Sequence, residues 1–169
     1  MAGPGPAPRP AHDLEDRLEA RHHLYAAGDT DPATQFTWAV ATALHDWGAR
    51  DREDALIRDT LTRLSDDHPD RSNWIRQLAD IAGGRGHITD ATRLYQQAFA
   101  LDERHVEGDP GNTGFQRDLS ISYERLAENA GNTAEAAQIV QNPLEFCERV
   151  LGNTNPLTSA IRAKLVAIP

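Results

Sequence analysis

The sequence predicts an all-α protein built from antiparallel pairs of helices. Apolar residues recur three and four positions apart through most of the chain, which is the period of an amphipathic helix. Strand signals are nearly missing, because no β-branched run alternates at period two for more than a few residues. Short polar joints that contain glycine separate the apolar stripes. Short joints make neighbouring helices antiparallel, so the helices should form pairs.

The stripes predict about eight helices in one domain that spans residues 12–169. The first eleven residues hold four prolines and two glycines, a composition that predicts a disordered, partly extended arm. The predicted helices lie near residues 13–27, 32–48, 52–66, 71–83, 89–107, 114–129, 133–150 and 156–167. Within the seventh, Pro143 should kink or break the helix near Gln141–Pro143, because proline removes one helical hydrogen bond.

The joints carry signals for ending one helix and starting the next. Glycine supplies the left-handed conformation that ends a helix, and a following Asn or Thr can cap the next one. Asp31-Pro32 and Asn155-Pro156 pair a cap with proline at the first helical position, where no amide proton is missed. The tripeptide Gly-Asn-Thr occurs three times, beginning at Gly111, Gly131 and Gly152.

The helix pairs repeat along the chain. An offset of 34 residues aligns Leu44 with Leu78 and Leu61 with Tyr95. A further shift of 45 residues aligns Leu78 with Tyr123. The extra eleven residues of the second offset predict a longer second helix in the middle pair.

Two stretches resemble the tetratricopeptide-repeat (TPR) family. Residues 109–126, "DPGNTGFQRDLSISYERL", resemble the repeat form common in large bacterial signalling proteins. Residues 147–165, "CERVLGNTNPLTSAIRAKL", are similar to the kinesin-light-chain type. With the 34-residue offset, the resemblance covers roughly residues 32–169. It implies a right-handed superhelical stack of helix pairs, whose first helices line a concave groove that binds peptides or proteins.

Candidate groove residues lie on the faces of the first helices that turn away from the second helices. Asp46 and Asp80 lie one repeat apart on these faces, and this mixed polar lining would suit a segment with a basic residue between apolar anchors. An ordinary solvated face is the alternative. The candidates are Thr42, Asp46, Asn73, Arg76, Asp80, Ile121 and Arg125.

Charge and cysteine content exclude several classes of protein. The net charge is −9, with 26 acidic and 17 basic residues and no basic stripe, so a nucleic-acid partner is not expected. No apolar run reaches 18 residues, so no membrane span is expected. The lone Cys147 excludes an intrachain disulfide and favours the cytoplasm. A single lysine, Lys164, among many arginines indicates a GC-rich bacterial genome.

No residue pattern predicts catalysis, a metal site or a cofactor. His22 and His23 are adjacent and point about 100° apart on a helix, so they cannot easily chelate one ion. Cys147 lies on an apolar stripe, where a buried and inert thiol is expected. The three tryptophans are interpreted as core packing, with a partner contact as the alternative. They are Trp38, Trp47 and Trp74.

The leading hypothesis is therefore a non-enzymatic adaptor that binds a protein or peptide. The alternative is a regulatory domain that senses a small ligand or signal peptide and acts with a larger signalling or transcription-regulatory protein. Such a sensor should have a closed apolar pocket near Trp47 and Trp74. The apolar C-terminal helix, from Leu157 to Ile168, is a candidate surface for a homodimer.

Overall fold

The computed structural model describes residues 10–130 and 134–166, with side chains over residues 14–129 and 142–163. Within these ranges the chain forms eight α-helices and no strand, which confirms the predicted all-α fold. The helices are α1 (Pro10–Ala27), α2 (Thr30–Asp46), α3 (Arg50–Arg63), α4 (Arg71–Gly84), α5 (Ile88–Gly108), α6 (Thr113–Ala130), α7 (Ala134–Val150) and α8 (Pro156–Val166).

Contacts divide the chain into two compact units, where the sequence predicted one solenoid domain. Unit 1 ends at Ser65 and contains α1–α3, and unit 2 begins at Asp66 and contains α4–α8. Each unit has buried apolar residues of its own.

Unit 1 is a three-helix unit in which α2 packs against both α1 and α3. The apolar stripe of α2 faces its neighbours, because Val40 and Leu44 are buried at 0% and 3% exposure. Ile57 on α3 is fully buried opposite this stripe. The joints on either side of α2 contain Gly28 and Gly48, whose φ angles of 85° and 69° lie in the left-handed region that favours glycine.

Unit 2 contains two helix pairs, α4/α5 and α6/α7, with α8 packed against α7. The pairs stack, since α4 also contacts α6 and α5 also contacts α7. The middle pair has a long second helix, as the 45-residue offset predicts, because α5 has 21 residues and α3 has 14. One buried cluster joins α5, α6, α7 and α8, and it comprises Phe99, Val106, Leu119, Tyr123, Phe146, Cys147, Leu157 and Ile161.

Several helices begin or end at residues other than those predicted. The first helix already begins at Pro10, inside the predicted arm, while residues 1–9 lie outside the described residues. The third helix ends at Arg63 rather than near residue 66, because Leu64 is extended with ψ of 141°. The predicted break at Pro143 is wrong, since α7 continues through this residue. Pro143 is buried, so packing within unit 2 offsets the hydrogen bond that the ring removes.

The Gly-Asn-Thr joints differ from one another. Gly152 has the expected left-handed φ of 84°, whereas Gly111 does not have a positive φ. The cap at the Gly111 joint comes from Asn112, as predicted. Its side-chain oxygen accepts hydrogen bonds from the backbone N–H of Gly114 at 2.9 Å and of Phe115 at 3.3 Å.

The remaining cap predictions have mixed outcomes. Asn155 caps α8, because its side-chain oxygen accepts the backbone N–H of Leu157 at 2.8 Å. Asp31 does not cap α2, because the helix already begins at Thr30. The joint at residues 131–133 lies outside the described residues.

Candidate binding faces

Three of the predicted groove residues share one side of unit 2. Asp80 on α4 is exposed, and its carboxylate accepts a hydrogen bond from the Tyr95 hydroxyl at 2.6 Å. Arg125 on α6 is exposed and pairs with Glu128 at 3.3 Å. Burial and then the hydrogen bond to Asp80 raise the pKa of Tyr95, and the charge of Arg125 opposes them, so this guanidinium lies within electrostatic reach. Ile121 lies one turn before Arg125 and is half-buried.

Arg76 does not belong to this open face, although the sequence placed it there. Its side chain is 5% exposed, and Nη1 donates to Asp102 Oδ2 at 2.8 Å and to Ser122 Oγ at 2.6 Å. It also donates to the backbone carbonyl of Asp118 at 3.3 Å. The prediction of an outward position is wrong because α6 packs on this side of α4. Arg76 therefore joins α4, α5 and α6.

The partners of Arg76 complete a buried polar network. The Ser122 hydroxyl donates to Asp102 Oδ2 at 2.5 Å, and the side-chain oxygen of Asn73 accepts a hydrogen bond from the Arg76 guanidinium. Asp102 is 1% exposed, so burial raises its pKa, and the charge of Arg76 opposes that effect. Asn73 is half-buried and is held by this network rather than open to a partner.

The other two predicted groove residues belong to unit 1. Thr42 and Asp46 are both exposed on α2. The Thr42 hydroxyl donates to the backbone carbonyl of Trp38 at 2.9 Å. Asp46 forms no ion pair with another described residue, so its carboxylate is available to a basic group.

Sequence reasoning missed a buried arginine in unit 1. Arg21 on α1 is 7% exposed, and its Nε donates to Thr37 Oγ1 on α2 at 2.8 Å. Its Nη2 donates to α3, to Asp59 Oδ2 at 2.6 Å and to Thr60 Oγ1 at 3.0 Å. A signal was present in the sequence, because Arg21 lies seven residues after the buried Leu14 and so shares its helix face.

A buried acid was missed as well. Glu53 on α3 is 1% exposed, and its carboxylate accepts hydrogen bonds from Arg50 at 2.9 Å and contacts His45 Nδ1 at 3.2 Å. Its spacing of four residues from the buried Ile57 places it on the core face of α3. Glu53 therefore helps to fix the joint between α2 and α3.

The tryptophans do not share one environment. Trp74 on α4 is fully buried, as core packing requires. Trp47, which follows α2, is 47% exposed and Trp38 is half-buried, so core packing does not describe all three.

Two of the cavities lined by described residues of unit 2 are open to solvent. One, of about 430 Å³, lies between α5 and α7 and is lined by Ala100, Glu103, Arg104, Glu107, Asn142, Glu145, Phe146 and Arg149. The other, of about 440 Å³, lies between α4 and α5 and is lined by Asp66, Arg71, Ile75, Gln97, Ala100, Leu101 and Arg104. Five of the eight residues that line the first cavity and three of the seven that line the second are charged, and neither lining contains a tryptophan. Neither is therefore the apolar pocket that a sensor near Trp47 and Trp74 would need.

Cys147 is buried, which confirms the prediction from its apolar stripe. Burial and the nearby charge of Glu103 raise the pKa of its thiol to about 12. Within the side chains that the structure describes, no three His, Cys, Asp or Glu residues could together hold a metal ion. None of the described helices combines the length and apolar content needed to cross a membrane.

Comparison with solved structures identifies a TPR-like fold. The chain matches BtubC (BKLC) from P. vanneervenii at 17% identity and a TM-score of 0.54, over 94% of this chain and 62% of that one. It also matches the nearly identical TPR-like repeats of a putative kinesin light chain from Podosopora anserina at 16% identity and a TM-score of 0.50. That match covers 96% of this chain and 87% of the other.

The chain thus spans less than two thirds of BtubC. No family model and no curated protein matches the sequence. The predicted resemblance is therefore confirmed at the level of the fold.

Proposed function

We propose that the chain is a non-enzymatic adaptor that binds a protein or peptide segment through the exposed faces of its first helices. A TPR-like helical repeat is a scaffold suited to protein binding. The chemistry of the exposed faces then decides what kind of segment it binds.

The observation that carries this proposal is the group of side chains that α4 and α6 present on one side of unit 2. Asp80 and Arg125 place opposite charges within electrostatic reach of the same Tyr95 side chain, with the half-buried Ile121 one turn away. A segment with an apolar side chain and a neighbouring charge complements such a surface. Tyr95 fixes the Asp80 carboxylate, so the acceptor is ordered before a partner arrives.

A basic residue in the partner is favoured by the acidic side chains. Asp46 in unit 1 has no ion-pair partner among the described residues, and Asp80 keeps an oxygen that the Tyr95 hydroxyl does not occupy. The protein has nine more acidic than basic residues, which would steer a cationic segment toward it at low ionic strength.

The test is capture of a partner from extract of the native cells, followed by mass spectrometry. Asp80→Asn removes the charge and keeps an oxygen for Tyr95, and Arg125→Glu reverses the exposed cation. Both variants should lose at least nine tenths of the captured partner. Arg76 is unsuitable as a probe, because replacing it would disrupt the buried network.

Asp90→Asn is the matched control, because Asp90 is an exposed aspartate on α5 that pairs with Arg93 at 3.5 Å. It should capture as much partner as the unchanged protein. Equal capture by all four proteins would show that the α4–α6 face does not bind the partner. Helix content from circular dichroism establishes that each variant folds.

A second candidate is a regulatory domain that senses a small charged ligand. The cavity of about 430 Å³ between α5 and α7 has the size of a small-molecule site, with three glutamates and two arginines in its lining. A screen for thermal stabilisation tests it. Stabilisation that Glu145→Gln abolishes and Asp80→Asn retains would favour the sensor, and no stabilisation by any charged metabolite would count against it.

The cellular location, the lack of a cofactor and the oligomeric state are further predictions of this proposal. The chain would act in the cytoplasm of a bacterium, as its cysteine and lysine usage indicates. It would work without a cofactor. A homodimer through α8 would be detected by sedimentation, as a mass that rises with protein concentration.

A further inference from the structure

Unit 1 exposes two large aromatic side chains on a single helix face. Phe36 is 37% exposed and Trp47 is 47% exposed, while most other large apolar side chains with described burial are buried or half-buried. Phe36 and Trp47 are eleven residues apart, which is three helical turns, so both lie on the same side of α2. Exposed aromatics that cluster in this way mark interaction surfaces more often than isolated ones do.

The space between the two rings is shallow because small residues occupy it. Ala39 and Ala43 lie between the aromatics at helical spacing, and both are half-buried. Two bulky ends about 16 Å apart, with methyl groups between them, form a saddle along the helix. We call the surface of Phe36, Ala39, Ala43 and Trp47 the α2 saddle. The space between the rings is long enough for several aliphatic side chains of a partner.

One exposed carboxylate lies beside the α2 saddle. It belongs to Asp46, which precedes Trp47, whereas Asp31 lies about 140° around α2 from Phe36. The α2 sequence contains no lysine or arginine. Asp46 has no ion-pair partner among the side chains that the structure describes. The surface therefore combines apolar anchors with an available carboxylate and disfavours an acidic partner.

We propose that the α2 saddle docks an amphipathic helix of a partner protein, with aliphatic residues along one face and a basic residue at the end that meets Asp46. An α-helix has the same spacing as α2, so its aliphatic residues at positions i, i+4, i+7 and i+11 meet the saddle over its whole length. The basic residue meets Asp46 at the Trp47 end of the saddle. This inference rests on the proposed adaptor function, and it adds a docking surface in unit 1 and the chemistry of the segment that occupies it.

The test uses two synthetic helical peptides that share four leucines at these positions. One has arginines at both ends, and its twin has glutamates. Binding of each labelled peptide to the full chain is measured by fluorescence anisotropy at low and high salt. We expect the arginine peptide to bind at least tenfold more tightly than the twin at low salt, with a smaller difference at high salt.

Single variants separate the parts of the surface. Phe36→Lys and Trp47→Lys should each weaken binding of the arginine peptide at least tenfold, because aromatic anchors dominate binding at such interfaces. Ile88→Lys is the matched control, since Ile88 is 53% exposed in unit 2, and it should leave binding unchanged. Asp46→Arg should reduce the preference for the arginine peptide. All four positions are exposed, so the variants should fold.

Three results would overturn the proposal. The first is equal affinity for the two peptides, and the second is unchanged binding by Phe36→Lys and Trp47→Lys. The third is a dimer of the unchanged protein that Trp47→Lys dissociates, because the occupant is then a second copy of the chain. Loss of partner capture in Asp80→Asn, together with any of these results, would leave the adaptor function standing and remove only the α2 saddle.

Discussion

Unit 1 and unit 2 each contain a buried arginine that joins three helices, yet the two arginines face different acids. Arg21 bonds to Asp59, whose side chain is 41% exposed and also binds Arg63 at 3.0 Å. Arg76 bonds to Asp102, whose side chain is 1% exposed. The arginine–aspartate pair is therefore partly exposed to solvent in unit 1 and almost fully buried in unit 2.

The exposure of the acid decides whether its pKa is raised or lowered from the ordinary value. Burial raises the pKa of Asp59, but hydrogen bonds from Arg63 and Arg21 outweigh it, so the net shift is downward. Burial dominates at Asp102 and raises its pKa, although Arg76 and Ser122 oppose it. Ionised Asp59 thus stabilises unit 1, whereas ionised Asp102 is tolerated in unit 2 because Arg76 needs its charge balanced.

The largest difference should come from removing the acid in each unit. Asp102→Ala leaves the Arg76 guanidinium buried without its main partner, so we expect a loss of about 3–5 kcal/mol in the free energy of unfolding. Denaturant unfolding followed by circular dichroism measures the loss. Alkylation of the buried Cys147 reports the opening of unit 2 in the same samples.

The paired replacement Arg76→Met/Asp102→Leu is the control for this prediction. It removes both charges and fills the space with apolar atoms, so it should recover most of the lost stability. A loss below about 1 kcal/mol in Asp102→Ala would contradict the idea that the pair is obligatory.

The matching change in unit 1 should have a smaller effect. Asp59→Ala removes one hydrogen bond from Arg21. The guanidinium keeps its hydrogen bonds to Thr37 and Thr60, and its Cζ lies 4.9 Å from the centre of the Tyr25 ring. We expect a loss of about 1–2 kcal/mol in the free energy of unfolding. Arg58→Ala is the control, because the Arg58 side chain is 62% exposed in its pair with Asp54, and it should change the free energy of unfolding by about 0.5 kcal/mol or less. Equal losses in Asp59→Ala and Asp102→Ala would remove the distinction between the units.

The dependence of stability on pH should have opposite signs at the two acids. The lowered pKa of Asp59 stabilises the fold above the unfolded value of 3.8, and this contribution is lost as the pH falls through the folded pKa. The raised pKa of Asp102 contributes stability below 3.8 that is lost as the pH rises through its folded pKa.

Unfolding of Asp59→Asn and Asp102→Asn between about pH 3 and pH 7 measures these contributions. The stability of the unchanged protein relative to Asp59→Asn should decrease on acidification, and its stability relative to Asp102→Asn should increase. Slopes of the same sign would contradict the comparison of the two units.

Helix periodicity predicted most of the local structure, because the apolar stripe of each amphipathic helix marks the face that is buried. Cys147 and Trp74 lie on such stripes and are buried. Arg76 shows where this reasoning fails. The sequence places it on a face turned away from α5, but its guanidinium binds Asp102 on α5 and Ser122 on α6, which are 26 and 46 positions away. Nothing local in the sequence marks Asp102 or Ser122 as its partners.

Packing by a second helix also separates the predicted binding residues into an exposed group and a buried group. Asp46, Asp80 and Arg125 are exposed, as an outward helix angle predicts, whereas Asn73 and Arg76 belong to the buried network. An arginine on a polar face is usually hydrated, so only a second helix packed against that face reveals a different role. Arg21 could have been found, since it shares a helix face with the buried Leu14.

The sequence by itself determined the helices and most of their limits, because hydrophobic spacing, glycine and asparagine act within a few residues. It also determined the repeat, through the offsets of 34 and 45 residues. Only the tertiary structure decided which polar side chains are buried, where the chain divides into two units, and which face of α2 remains open. These properties depend on contacts between residues far apart in the chain, and burial then sets whether a charge is hydrated, paired or available to a partner.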